Sequence, residues 1–62
     1  MTLLDWLYQE GIVVTRSGAN RLAAQKAIKV NGTVITNLLY RVKDGENIQV
    51  GKYRFYVVGD DN

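Results

Sequence analysis

The feature that most limits what this chain can fold into is a change of period at Ala27. Before it, Ala19, Leu22 and Ala23 recur at spacings of three and four; after it, Ile28 and Val30 alternate with Lys29 and run into Asn31-Gly32. The first spacing belongs to a helix with one buried side, the second to a half-buried strand. Asn-Gly between alternating flanks is a strong hairpin signal, because both central residues must take positive φ. The stretch from Thr15 to Gly32 therefore predicts a short helix feeding a β-hairpin. Along it stand Arg16, Arg21, Lys26 and Lys29 with no acidic residue, a surface suited to a negative partner.

Thr15 is the predicted cap of this helix, with Val14 and Ala19 placed to form a small hydrophobic staple across it. Ala19, Leu22, Ala23 and Lys26 share one side; Ser17, Asn20, Arg21, Ala24 and Gln25 share the other. Lys26 falls where the helix should stop. An earlier helix starts at Thr2, whose hydroxyl caps it, with Asp5 in the first turn where the helix dipole favours an anion. Leu3, Leu4, Leu7 and Tyr8 give it an apolar side, Trp6 is expected in the core, and Gly11 ends it.

In the hairpin, Val30 is expected opposite Thr33 and Ile28 opposite Ile35, with Lys29 and Val34 on the other face. Residues 37–40 make an irregular crossing, and Asp44-Gly45 turns the chain. Ile48 and Val50 then begin a second hairpin around Gly51-Lys52, read as a two-residue turn. That turn pairs Val50 with Tyr53, Ile48 with Phe55 and Glu46 with Val57, sending Arg54, Tyr56 and Val58 outward. Residues 1–58 are expected to form one small domain, and residues 59–62 a flexible acidic tail.

Composition narrows the function. With 62 residues, a domain buries only about 60% of the surface of its unfolded chain, so the core must be thin. There is no cysteine and no histidine, so no disulfide and none of the usual zinc ligand sets, and no cofactor is expected. No apolar run is long enough to span a membrane, and no signal-like segment opens the chain. The net charge of +2 is modest, but residues 1–10, 11–43 and 44–62 carry −2, +6 and −2. A basic centre sits between acidic ends. Ser17 is the only serine, so the common nucleophile and base pairs are missing and an enzyme is not expected.

Taken together, Leu4-Asp5-Trp6-Leu7, the run from Gly11 to Leu22 (GIVVTRSGANRL), Ala27 to Gly32 (AIKVNG) and Val42 to Val50 (VKDGENIQV) resemble a known family. It is the RNA-binding domain first defined in a small-subunit ribosomal protein, the ribosomal "S-four" domain. The resemblance covers Leu3 to about Val50, and its most specific part is T-R-S-x-A-x-R-L followed by V-N-G. The closing VGKYRFYVV is similar to the last strand of the version that forms the tail of bacterial tyrosyl-tRNA synthetases. Met1 directly before a helix cap is in keeping with a complete small protein, and an excised synthetase tail is the other reading.

The resemblance implies an α+β fold: two short N-terminal helices packed on a small, bent, mostly antiparallel sheet. It also implies an RNA-facing surface made by the second helix and the hairpin after it. Arg16 and Arg21 match the family's basic helix residues, and Asn31-Gly32 its hairpin tip. Gly18 stands where the family usually has a capping-box glutamate, and Lys26 where it usually has a helix-ending glycine.

Arg16, beside free amides at the helix mouth, is placed to hold a phosphate. Arg21 lies with Ser17 and Gln25, which can hydrogen-bond sugar or phosphate, and Lys26 and Lys29 extend the patch or merely solvate it. The expected function is non-catalytic binding of structured RNA, ribosomal or transfer RNA, by a cytoplasmic monomer, with the ribosome or a larger RNA-processing protein as its setting. The alternative is a small interaction or inhibitor factor that turns the same fold toward a protein partner.

Overall fold

A computed structural model describes residues 1–59. Two helices, α1 (Leu3–Gln9) and α2 (Arg16–Ala24), precede four strands: β1 (Ile28–Val30), β2 (Thr33–Val34), β3 (Asn47–Val50) and β4 (Arg54–Val57). The strands form one sheet in the order β2-β1-β3-β4, every neighbouring pair antiparallel. This is the small α+β architecture the sequence predicts. The expected acidic tail falls, beyond Gly59, outside the described residues.

Both caps form as the sequence requires. The Thr2 hydroxyl accepts from the Asp5 N–H at 3.1 Å, and the Thr15 hydroxyl accepts from the Gly18 N–H at 3.2 Å. Each helix also ends in the same double hydrogen bond. At α1 the Gly11 and Ile12 N–H groups donate to the Tyr8 and Leu7 carbonyls; at α2 the Lys26 and Ala27 N–H groups donate to those of Ala23 and Leu22. This Schellman arrangement needs a left-handed residue just past the cap. Gly11 takes it at φ 72°, a conformation free of steric cost for glycine, whereas Lys26 holds φ 57° with a Cβ.

The core lies between the helices and one face of the sheet. Trp6, Leu3 and Leu7 from α1 and Ala19 and Ala23 from α2 meet Ile28 and Val30 of β1 and Ile48 and Val50 of β3. Trp6 is 2% exposed and stands edge-on to the Tyr56 ring, with centroids 5.4 Å apart. The first hairpin keeps its expected register, Val30 against Thr33 and Lys29 against Val34. Asn31 and Gly32 both have positive φ, 52° and 87°, as a two-residue turn of this hand demands.

The second hairpin departs from expectation. Gly51, Lys52 and Tyr53 form a three-residue loop, so Val50 pairs with Arg54, Gln49 with Phe55, Ile48 with Tyr56 and Asn47 with Val57. One extra loop residue exchanges the faces of the whole strand. Tyr56 and Val58 turn inward and Phe55 and Val57 outward, and Glu46 bonds through its carbonyl to Val58 instead of pairing with Val57. The physical reason is the Trp6 edge, against which the Tyr56 ring packs. The staple also fails: Val14 is 88% exposed, and it is Val13 that is buried, beside Gly18.

Residues 37–42 fold back over the start of α1. The Leu3 and Leu4 N–H groups donate to the Tyr40 and Leu38 carbonyls, Val42 donates to the Met1 carbonyl, and Thr2 bridges to Arg41. Glu46 anchors this crossing from the other side. Its carboxylate accepts from the Lys43 N–H at 2.8 Å and the Tyr40 hydroxyl at 2.9 Å, which raises the Tyr40 phenol above its ordinary pKa, chiefly through that hydrogen bond. No helix among the described residues is long and apolar enough to cross a membrane.

Candidate nucleic-acid interface

The start of α2 differs from that of α1 in having nothing folded over it. Thr15 satisfies Gly18 with its hydroxyl and Ala19 with its carbonyl. Among the described residues, no group accepts from the Arg16 or Ser17 N–H. Two free amides at a helix mouth carry the positive end of the helix dipole, and Arg16, the first residue of the helix, is exposed and adds a positive charge to that end. Such a mouth is a binding site for an anion.

From this mouth two lines of residues run along the exposed side of α2. Arg16, Asn20 and Ala24, spaced by four, line an open cleft of ≈ 440 Å³ whose far wall is the crossing segment Thr36 to Leu39. That wall is fixed by an Asn37 side chain accepting from the Leu39 N–H at 3.0 Å and an Asn37 carbonyl accepting from Tyr40. Ala24 keeps the cleft open where a longer side chain would fill it. Ser17, Arg21 and Gln25, again spaced by four, form the neighbouring exposed line, just outside the cleft.

At the end of α2 the basic surface continues. Gln25, Lys26 and Lys29 line a second hollow of ≈ 310 Å³, together with Gln49 and Lys52. The left-handed Lys26 is what turns the chain from helix axis to strand there. Thus the structure gathers the sequence-predicted residues into a strip: Arg16, Ser17 and Arg21 at the mouth and middle, Gln25, Lys26 and Lys29 at the far end. Among the described residues, no side chain accepts a hydrogen bond from any of these basic groups.

Asn31 is placed differently. Its side-chain oxygen accepts from the Asn47 N–H at 3.0 Å, and its amide group donates toward Glu46 at 3.5 Å. The hairpin tip is thereby tied to β3, and the Asn31 side chain serves the fold first. Glu46 accordingly lies close to this tip. Arg41 and Lys43 are exposed on the crossing segment and line neither hollow.

Sequence reasoning passed over Asn20, Lys52 and Gln49. Asn20 was visible on the polar side of α2 but carries no charge to draw notice. Lys52 and Gln49 reach the strip only through the pairing of β1 with β3, Lys29 against Gln49, which local spacing does not reveal. Among the described residues, no cluster of three or more acidic, cysteine or histidine side chains is arranged to hold a metal ion.

Comparison with known proteins identifies the family. The sequence pattern of the S4 domain matches residues 1–48, from α1 through the hairpin to β3. The chain belongs to the S4 domain family. The S4 domain is an RNA-binding domain, and membership supports RNA binding in general terms. The chain is also similar to the small ribosomal subunit protein uS4 of Coxiella burnetii, from strains CbuG_Q212 and RSA 493, at 43% identity over 44 residues in each. That alignment covers 71% of this chain and 21% of each relative, so the chain matches about a fifth of the relatives' length. No solved structure matches it at comparable significance.

Proposed function

We propose that this S4 domain is a non-catalytic module that binds structured RNA by its phosphates, with the mouth of α2 as the primary anchor. The observation that carries this reading is the open α2 start, where nothing among the described residues accepts from the Arg16 and Ser17 amides and the first helical residue is itself an exposed arginine. Dipole, amides and charge all favour the same anion. Arg21 then meets the next phosphate along the helix, Ser17 and Gln25 hydrogen-bond sugar or phosphate oxygens, and Lys26 and Lys29 hold the strand as it leaves. Asn31 shapes the hairpin tip against which the backbone lies.

Contacts of this kind read shape and backbone path more than base sequence. A bulge or helix junction, where the phosphate line bends, suits a strip that itself turns from helix to hairpin. Likeness to a ribosomal protein favours ribosomal RNA over transfer RNA, with the domain acting as a monomer in the cytoplasm.

The test is fluorescence anisotropy with a labelled ribosomal RNA junction fragment, transfer RNA and duplex DNA across a salt series. The Arg16→Glu/Arg21→Glu protein should keep its fold and lose affinity for the RNA by about 100-fold or more. Removing each phosphate-binding cation should also flatten the salt dependence by about one unit of slope. Undiminished RNA affinity in the double variant contradicts the reading. So does a wild type that binds no RNA at low salt but captures a protein partner through high salt.

A further inference from the structure

The register of β4 places an aromatic ring where the α2 strip does not reach. Phe55 is 70% exposed on the sheet face turned away from the helices, at the loop end of its hairpin. Across the strands it is followed by Gln49 on β3 and Lys29 on β1. Neighbours on one face of a sheet lie about 5 Å apart, so two strand spacings, across β3, separate Phe55 from Lys29 by about 10 Å.

Two hollows meet at Gln49. One, of ≈ 300 Å³, is lined by Phe55, the Asn47 side chain and Asn31, whose amide is already engaged with Asn47 and Glu46; the other holds Lys26, Lys29 and Lys52. Gln49 gives its side-chain N–H to the Gly51 carbonyl at 2.9 Å, which fixes its amide plane and leaves its oxygen as an acceptor. One side of this face thus offers an aromatic surface and amides, the other side three ammonium groups.

A protein partner would call for a continuous apolar patch, with lysine kept to the rim. Phe55 and Val57 are exposed together along β4, but across the sheet the row Val34, Lys29, Gln49, Phe55 is broken by a charge and an amide at its centre, so the apolar surface is confined to one edge strand. An unpaired nucleotide calls for what is present: a ring to stack its base, amides for the base edge, and cations one nucleotide-length away for its phosphate. We propose that the outer face of the sheet binds one unpaired nucleotide of RNA, its base stacked on Phe55 and its phosphate held by Lys29 and Lys52.

The inference rests on the reading that the ligand is RNA, yet it uses a different face from the α2 mouth. It gives the domain a way to take hold of a strand that emerges unpaired from a junction held by α2. Lys26 and Lys29, at the boundary, border both surfaces.

The experiment titrates labelled eight-nucleotide oligouridylate, and the same length of oligodeoxythymidylate, into wild type, Phe55→Ala, Phe55→Tyr and Lys52→Glu. Because Phe55 lies outside the core, its truncation leaves the fold in place, which the amide spectrum verifies. Phe55→Ala should weaken oligouridylate binding about tenfold, as loss of one stacked base does. Phe55→Tyr, which keeps the ring, should stay within about twofold of wild type, and Lys52→Glu should weaken binding and its salt dependence together. In the wild type, amide signals of Lys29, Gln49 and Phe55 should move on titration. Oligouridylate affinity unchanged by Phe55→Ala overturns the site even if α2 binds structured RNA. Movement at Phe55 with no binding of structured RNA upholds the site and overturns the α2 reading. Binding of neither RNA at low salt overturns both, and equal affinity for the deoxy strand upholds the stacking site while removing its preference for RNA.

Discussion

The two helices begin alike and are used differently. Each has a threonine cap whose hydroxyl takes the third amide, and each exits through the same pair of hydrogen bonds. At α1, however, the Tyr40 and Leu38 carbonyls close over the remaining amides, while at α2 the corresponding groups of Arg16 and Ser17 face solvent. A helix start needs acceptors from somewhere. The fold supplies them to α1 and leaves α2 to take them from a ligand. The difference teaches that capping chemistry alone does not mark a binding site; what marks it is the absence of a segment folded across the mouth.

The sharpest way to break this comparison is through the seat of α1. Trp6→Ala removes the largest core side chain and its packing against Tyr56, and should cost about 3–5 kcal/mol, enough to unfold much of a domain this small. Denaturant titration followed by far-UV circular dichroism reads it. If stability barely changes, α1 is not the structural helix of the pair.

A smaller effect separates the two caps. Thr2→Ala and Thr15→Ala should each cost about 1 kcal/mol in thermal unfolding. Only Thr15→Ala should also speed amide exchange through the first turn and weaken RNA binding, because α1 keeps its two loop carbonyls when its hydroxyl is gone. Equal fraying at both starts would show that the crossing segment does not hold α1.

Smaller again are the two positions where a local rule is broken. Lys26→Gly should stabilise the domain by up to about 1 kcal/mol by relieving the left-handed backbone, and should weaken RNA binding by removing a cation. Gly18→Ala should stabilise by a similar amount, since a Cβ there meets Thr15 and Val13 at ordinary contact distances of 3.6 Å and beyond. Gly18→Glu completes the capping box but brings a carboxylate to the anion site, so it should stabilise the fold while reducing RNA affinity. Affinity unchanged by Gly18→Glu would place the phosphate elsewhere.

The smallest effect is one of pH. Tyr40 donates to the Glu46 carboxylate, so its proton is held more tightly in the folded state, and this contribution is complete below the ordinary phenol pKa of about 10. It is lost as pH rises through the raised folded value. Tyr40→Phe should abolish that alkaline component of the unfolding curve.

Much of this was legible because neighbouring residues decided it. The caps at Thr2 and Thr15 and the Asn31-Gly32 turn follow from local spacing, the left-handed Lys26 from the resemblance that puts it where a glycine usually ends the helix, and the buried Trp6 from the bulk of its ring. The second hairpin did not, because YRFYVV alternates acceptably on either parity: Tyr53, Phe55 and Val57 form one apolar set, Tyr56 and Val58 the other. Nothing within the strand chooses between them; the inward set is the one that brings Tyr56 against Trp6, far earlier in the chain. The basic strip was legible in its helical part, where charge and period coincide. Lys52 and Gln49 were not, since they join it through a strand pairing between distant segments, and the engagement of Asn31 by Asn47 and Glu46 was hidden for the same reason.

The most direct test of the central claim is a two-dimensional amide spectrum recorded while an RNA junction fragment is added. The account predicts that the Arg16 and Ser17 signals move first and furthest and become protected from solvent exchange, while Leu3 and Leu4 at the closed start of α1 stay in place. Equal movement at both helix starts, or none at Arg16 and Ser17 when the RNA is saturating, would contradict it.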